Sequence, residues 1–98
     1  MKEHIFNKFI EAISEHTGID SESIFKKSKE SDIVLARQML FYLCRDRNMT
    51  TTEILKYMRT NGYDIGHNAI SYGLKVIDNL KKNDKDYEVL INKLSSID

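Results

Sequence analysis

The stretch from Thr50 to Lys82, TTTEILKYMRTNGYDIGHNAISYGLKVIDNLKK, decides the fold. Thr50, Thr51, Thr52 and Glu53 read as a capping box: the Thr50 hydroxyl accepts from the Glu53 amide while the Glu53 carboxylate reaches back to the Thr50 amide, so a helix starts there. Ile54, Leu55, Tyr57 and Met58 give that helix an apolar face, and Asn61-Gly62 supplies residues that tolerate positive φ to end it. Tyr63 to Gly66 reads as a turn. From His67 to about Lys82 the stripe Ile70, Leu74, Ile77 and Leu80 recurs at helical spacing, and Gly73 beside it predicts a close helix crossing. Two helices over 51–61 and 67–82, joined by a short Gly-containing turn, have the helix-turn-helix arrangement, whose second helix can enter a major groove by its first residues.

Working outward, the same period continues on both sides. Upstream, Ser31 or Asp32 is expected to cap a long helix carrying Val34, Leu35, Met39, Leu40, Tyr42 and Leu43, apolar on so many sides that it must be the central, most buried one. Before it, KKSKES (26–31) has no apolar residue and reads as an exposed basic loop. Asp20 or Ser21 suits the cap of a short turn of helix through Ile24 and Phe25. Ile5, Phe6, Phe9, Ile10 and Ile13 make residues 3–17 an amphipathic first helix that Gly18 stops. Downstream, Tyr87, Leu90, Ile91 and Leu94 form a last helix after Asn83-Asp84. Proline is absent and no run alternates long enough for a strand. The expected fold class is therefore all-α, a single domain over 1–98 with five to six helices.

Composition limits the function. The chain has 98 residues, 41% of them hydrophobic and 31% charged, enough for one core and unlike a disordered tail. No window reaches the roughly 18 uninterrupted apolar residues of a bilayer span, and the opening MKEHIFNKFIEAISEH is too charged for a signal peptide, so a cytosolic location and no membrane partner are expected. Cys44 is the only cysteine and His4, His16 and His67 are scattered, which leaves no metal-ligand spacing, no expected cofactor and no nucleophile beside a base. Neither an enzyme nor a small-molecule substrate is expected.

Charge is uneven along the chain although its formal sum is zero. Residues 1–24 carry 2 bases and 5 acids, residues 25–82 carry 11 and 6, and residues 83–98 carry 2 and 4. A basic middle between acidic ends fits a protein that turns one surface toward phosphate. The candidate contacts follow. His67, Asn68, Ser71, Tyr72 and Lys75 fall on or near the face opposite Ile70, Leu74 and Ile77, and they are donors, acceptors and one cation rather than the Glu/Lys mixture of an ordinary solvated helix. Asn68 suits a bidentate pair with adenine, the Ala69 methyl a thymine methyl, and Tyr72 and Lys75 suit phosphates. For His67 a capping or partly buried role stands beside a DNA contact. Lys26, Lys27 and Lys29 could enter a minor groove, whose negative potential attracts cations, or form a solvated loop. Arg37, Arg45 and Arg47 could lie over the core or pair with Asp46 or Glu53.

These residues together carry a resemblance. The basic loop KKSKESD, the central Val34-Leu35-Ala36-Arg37-Gln38-Met39 with Tyr42-Leu43, the Thr-rich cap with Glu53-Ile54 and the His-started second helix make the stretch from Ile5 to about Leu94 similar to the C-terminal, DNA-binding domain of the bacterial replication initiator DnaA. In that family the recognition helix opens Asp-His-Thr-Thr-Val; here it reads Gly66-His67-Asn68-Ala69-Ile70. The resemblance implies major-groove positions for His67, Asn68 and Ala69, a minor-groove position for Lys29 where the family has arginine, and a phosphate role for Arg37. Lysine keeps the charge and loses the planar fork, so the loop is expected to select bases less than it attracts phosphate. No GxxxxGK[ST] loop occurs, so a free-standing domain is expected rather than a whole initiator.

Two functions follow as expectations. The first is a sequence-preferring double-stranded DNA-binding protein, with the helix-turn-helix in the major groove and the basic loop in the minor groove, acting as a replication or transcription regulator. The second keeps the fold and abandons DNA: a module that holds a protein partner or itself through Tyr57, Tyr63 and Tyr72, residues of a type enriched at such contacts.

Overall fold

Among the helices one touches all the others, and its sequence explains why. The structure is a computed structural model and describes residues 2–97. Its elements are α1 (Lys2–Thr17), α2 (Ser21–Ile24), α3 (Ser31–Asp46), α4 (Thr51–Thr60), α5 (His67–Asn83) and α6 (Lys85–Ser95), with no strand among the described residues. The all-α expectation holds. In α3, Ala36, Arg37, Gln38, Met39, Leu40, Phe41, Leu43 and Cys44 are all buried, so the middle of the helix has little surface left for water, and every other helix packs on it.

α1 shows the simpler amphipathic case. Phe6, Phe9, Ile10 and Ile13 are its buried residues, and their spacing lays them along one face. Phe6 stands 5.3 Å from the Tyr57 ring and 6.3 Å from the Phe25 ring, centroid to centroid, tying α1 to α4 and to the end of α2. Each such fully buried side chain contributes about 1.5–3 kcal/mol. Gly18, at φ +75°, turns the chain out of α1 as expected.

One expected cap moves, and another keeps its place without using its side chain. α3 takes Glu30 as its N-cap residue rather than Ser31 or Asp32, and no side chain caps it. The reason lies one turn earlier, where the Ser28 hydroxyl accepts from the Glu30 amide at 3.1 Å and fixes the bend there. Asp20 does occupy the N-cap of α2, but only its carbonyl closes the turn, accepting from the Ser23 amide at 2.9 Å.

The tightest packing is where α5 crosses α3. A Cβ built on Gly73 would stand 3.1 Å from both Gln38 Cγ and Phe41 Cδ2, closer than ordinary contact. The missing side chain therefore sets the distance between the two helices, and with it the placement of the outer face of α5.

Candidate nucleic-acid interface

The helix-turn-helix is built as its residues dictate. The Glu53 amide donates to the Thr50 hydroxyl at 3.1 Å and the Thr50 amide donates to the Glu53 carboxylate at 2.8 Å, the complete capping box. Lys2 adds an ion pair to the same carboxylate at 3.0 Å. The Thr50 backbone bond first, and the Lys2 side chain next, hold the Glu53 carboxyl below the usual carboxylate range. At the other end of α4 only Gly62 takes a left-handed conformation, φ +89°, while Asn61 keeps φ −93° as the C-cap. The turn then delivers Gly66 as the N-cap of α5, with no side chain to satisfy the first amides. That helix end carries unclaimed N–H donors and the positive end of the helix dipole.

Around this end the expected contact residues are open to solvent. His67, Asn68, Ala69, Ser71, Tyr72 and Lys75 are all exposed, Tyr72 to 66%. The inner stripe of α5 points the other way, with Ile70, Gly73 and Ile77 buried and Leu74 and Leu80 packed at the edge of the core. On the preceding loop Lys26, Lys27 and Lys29 are exposed as well. None of these four lysines pairs with a carboxylate among the described residues, whereas Lys2, Arg59, Lys82 and Lys85 are each bound to one at 3.0–3.3 Å.

Arg37 departs from the pattern. The resemblance gives it a phosphate, but only 6% of it is exposed and its fork is already taken. Its Nε donates to the Ile24 carbonyl at 2.8 Å and a terminal nitrogen donates to the Lys26 carbonyl at 2.7 Å. Its guanidinium carbon stands 4.2 Å from the centre of the Tyr63 ring. Burial lowers its pKa from the ordinary value, with Tyr63 acting in the opposite sense, and a guanidinium stays charged regardless. The physical reason is position: an arginine in the buried middle of α3 must find acceptors inside, and the loop carbonyls are the ones in reach. Arg37 thus faces inward and fixes the basic loop from beneath.

That contact brings the two candidate surfaces together. The loop at Lys26 rests on Arg37, Arg37 rests on Tyr63 of the turn, and Arg37, Tyr63, Ala69 and Tyr72 line one depression. Lys75 stands apart, beside a second, mixed-charge groove with Arg45 and Asp78. Arg45 and Arg47 turn to backbone: Arg45 donates to the Met49 carbonyl at 3.0 Å, and Arg47 donates to the Ile97 carbonyl and lies over Phe9. Sequence reasoning missed Tyr63 as the partner of Arg37. Of the three tyrosines that suggested a protein-binding surface, Tyr57 packs on Phe6 and Tyr63 lies under Arg37, which leaves only Tyr72 exposed.

Among the described residues no group of His, Cys, Asp and Glu could hold a metal ion. The Cys44 thiol is fully buried and burial pushes its pKa up, so the thiolate that attack requires is suppressed. No helix among the described residues is long and apolar enough to cross a membrane.

Comparison with known proteins agrees with this helical arrangement. The family described as bacterial dnaA protein helix-turn-helix matches residues 6–61, more than half of the chain. The chain belongs to that family. The matched span runs from α1 through α4, and α5 and α6 lie beyond it. The chain is similar to the chromosomal replication initiator protein DnaA of Sulfurimonas denitrificans, 31% identical over 85 residues, covering 86% of this chain and 19% of that protein. Against the protein of the same name from Nautilia profundicola it is 29% identical over 105 residues, covering 98% of this chain and 23% of that protein. It therefore spans about a fifth of the length of these relatives. No solved structure matches the chain.

Proposed function

We propose that this chain is a double-stranded DNA-binding module without catalysis, serving replication initiation or transcription control. It lays the opening of α5 in a major groove and the loop 26–30 over the adjacent minor groove. The observation that carries this reading is the Arg37 contact, which keeps the unpaired lysines of the loop and the uncapped, polar start of α5 on either side of one buried guanidinium. Membership of the DnaA helix-turn-helix family supports it, as do two relatives that bear the name of a replication initiator.

In this reading Asn68 reads adenine and Ala69 meets a thymine methyl. His67, Ser71, Tyr72 and Lys75 hold the flanking phosphates and edges, and Lys29 leads the loop into the minor groove. Arg37 acts by positioning and releases no counterion itself. With Lys26, Lys27, Lys29 and Lys75 engaged, log affinity falls against log salt with a slope of about −3 to −4, at about 0.9 per neutralised phosphate. A duplex titration at several salt concentrations reads this slope directly, and a flat response would remove the proposal. Selection of bound duplexes from a random pool then identifies the sequence. An enriched motif supports base reading, and binding without enrichment reduces the function to phosphate attraction.

A further inference from the structure

Of the four ion pairs among the described residues, three have a local task. Lys2–Glu53 lies at the cap of α4, Lys82–Asp78 joins successive turns of α5, and Lys85–Glu88 does the same in α6. The fourth, Arg59–Asp64, runs from the end of α4 to the turn before α5, with the Arg59 Nε donating to Asp64 Oδ1 at 3.3 Å. Its side chains are 65% and 81% exposed, so it ties nothing inside the core. Asp64 is also the only carboxylate between Glu53 and Asp78, a span that holds Lys56, Arg59 and Lys75. It stands three residues before His67, between Tyr63 and Ile65, which line a depression together with Ala69 and Tyr72. An acid so placed sits beside the opening of α5, where the duplex-binding reading brings phosphate.

The chemistry of the pair follows from which nitrogen is used. Asp64 takes Nε, and the two terminal nitrogens of Arg59 make no hydrogen bond among the described residues. Freed of Asp64, that planar fork would suit a phosphate. An exposed pair is weak by itself. Beside a duplex, however, moving Arg59 to a phosphate leaves the Asp64 carboxylate bare among like charges, so the attraction gained is offset by a repulsion of similar size. We propose that Asp64 withholds Arg59 from the phosphates and thereby limits how tightly the protein holds a duplex of any sequence. Attraction to phosphate is alike for every sequence, whereas the base contacts of α5 are not. With the first held down, the second decides how long the protein stays. The proposal rests on duplex binding and assigns Asp64 the restraint on it.

The test uses the full chain and a mixture of duplexes of random sequence, so that no target need be known. Asp64→Asn keeps the size of the side chain and removes its charge. Its log affinity is expected to fall with log salt more steeply than the wild type's by about 0.9, the value of one further phosphate, which at about 0.1 M salt means roughly eightfold tighter binding. The double variant Arg59→Gln/Asp64→Asn is expected to return to the wild-type slope and affinity, because the freed fork is gone. Both side chains are exposed, so neither substitution disturbs the core. An unchanged slope in Asp64→Asn overturns the proposal and leaves the duplex-binding reading intact. So does a gain that survives in the double variant, since Asp64 then acts by its own charge and not through Arg59. A wild-type chain whose binding ignores salt sinks the underlying reading instead.

Discussion

Replacing Arg37 with Met keeps a stem of similar length and removes the fork that joins the basic loop to the turn before α5. The wild-type residue makes two hydrogen bonds from a charged donor, at 2.8 and 2.7 Å, and one ring contact at 4.2 Å. Such bonds contribute about 1.5–3 kcal/mol each and the ring contact about 0.5–2 kcal/mol. Against these stands the cost of desolvating the guanidinium, whose sign is visible in the pKa that burial lowers. In the Met variant the Ile24 and Lys26 carbonyls lose their partner. A carbonyl that stays buried costs about 1–3 kcal/mol, while one on the exposed loop recovers water. With the stem volume retained, the net loss is expected at about 2–4 kcal/mol, a large share of the roughly 5–15 kcal/mol that holds a domain together. Urea denaturation reads it: for a slope of about 1–3 kcal/mol per molar, the midpoint falls by about 0.7–4 M. Faster hydrogen exchange at the amides of residues 26–30 is expected alongside. Combining Arg37→Met with Tyr63→Leu in a double-mutant cycle should give a coupling of about 0.5–2 kcal/mol, since the ring contact is lost only once. An unchanged midpoint, or strictly additive effects of the two substitutions, would refute the idea that this guanidinium ties the loop to the turn.

Three further outcomes follow from single contacts. Gly73→Ala gains about 1 kcal/mol of helix propensity but sets a Cβ 3.1 Å from the buried Phe41 ring, and overpacking costs about 1–3 kcal/mol; a thermal melt should show the melting temperature unchanged or lowered by several degrees. Tyr87→Phe should hold or raise stability by about 1 kcal/mol in denaturant titration, because the phenol oxygen is buried with no hydrogen-bond partner among the described residues. Burial pushes the Tyr87 phenol up to about 12, so its contribution is whole below its ordinary pKa near 10 and is lost as pH rises through about 12, a decline the Phe variant lacks. Thr50→Ala should cost about 1 kcal/mol by removing the cap of α4. Because the Glu53 carboxyl is held low, its contribution is present above the ordinary carboxylate pKa and disappears as pH falls through the lowered folded value; stability of Glu53→Gln measured down the acid range should lose this component.

What could be read in advance from the sequence is what is local. The Thr50–Glu53 box closes within three residues, the α5 stripe repeats within one helix, and Gly73 stands out as the small residue beside that stripe, so all three were legible before any coordinates. Arg37 was not. Its partners lie at Ile24, Lys26 and Tyr63, and the Ala-Arg-Gln pattern invites a phosphate contact instead. The available signal was the company it keeps: an arginine inside a helix that is apolar on every side has to be satisfied from within the protein. The same distinction corrects the reading of charge. Eleven bases between residues 25 and 82 would give a salt slope of about −10 if every one met a phosphate. Arg37, Arg45 and Arg47 are held by carbonyls, Arg59 and Lys82 by carboxylates, and Lys81 by the Tyr42 hydroxyl. Hydrogen-bond partners, which a charge count does not see, decide how many cations remain for DNA. Five of the eleven remain, Lys26, Lys27, Lys29, Lys56 and Lys75, and the proposed contact engages all of them but Lys56 on α4; a slope near −10 would mean that the internal arginines let go of their carbonyls when the duplex arrives.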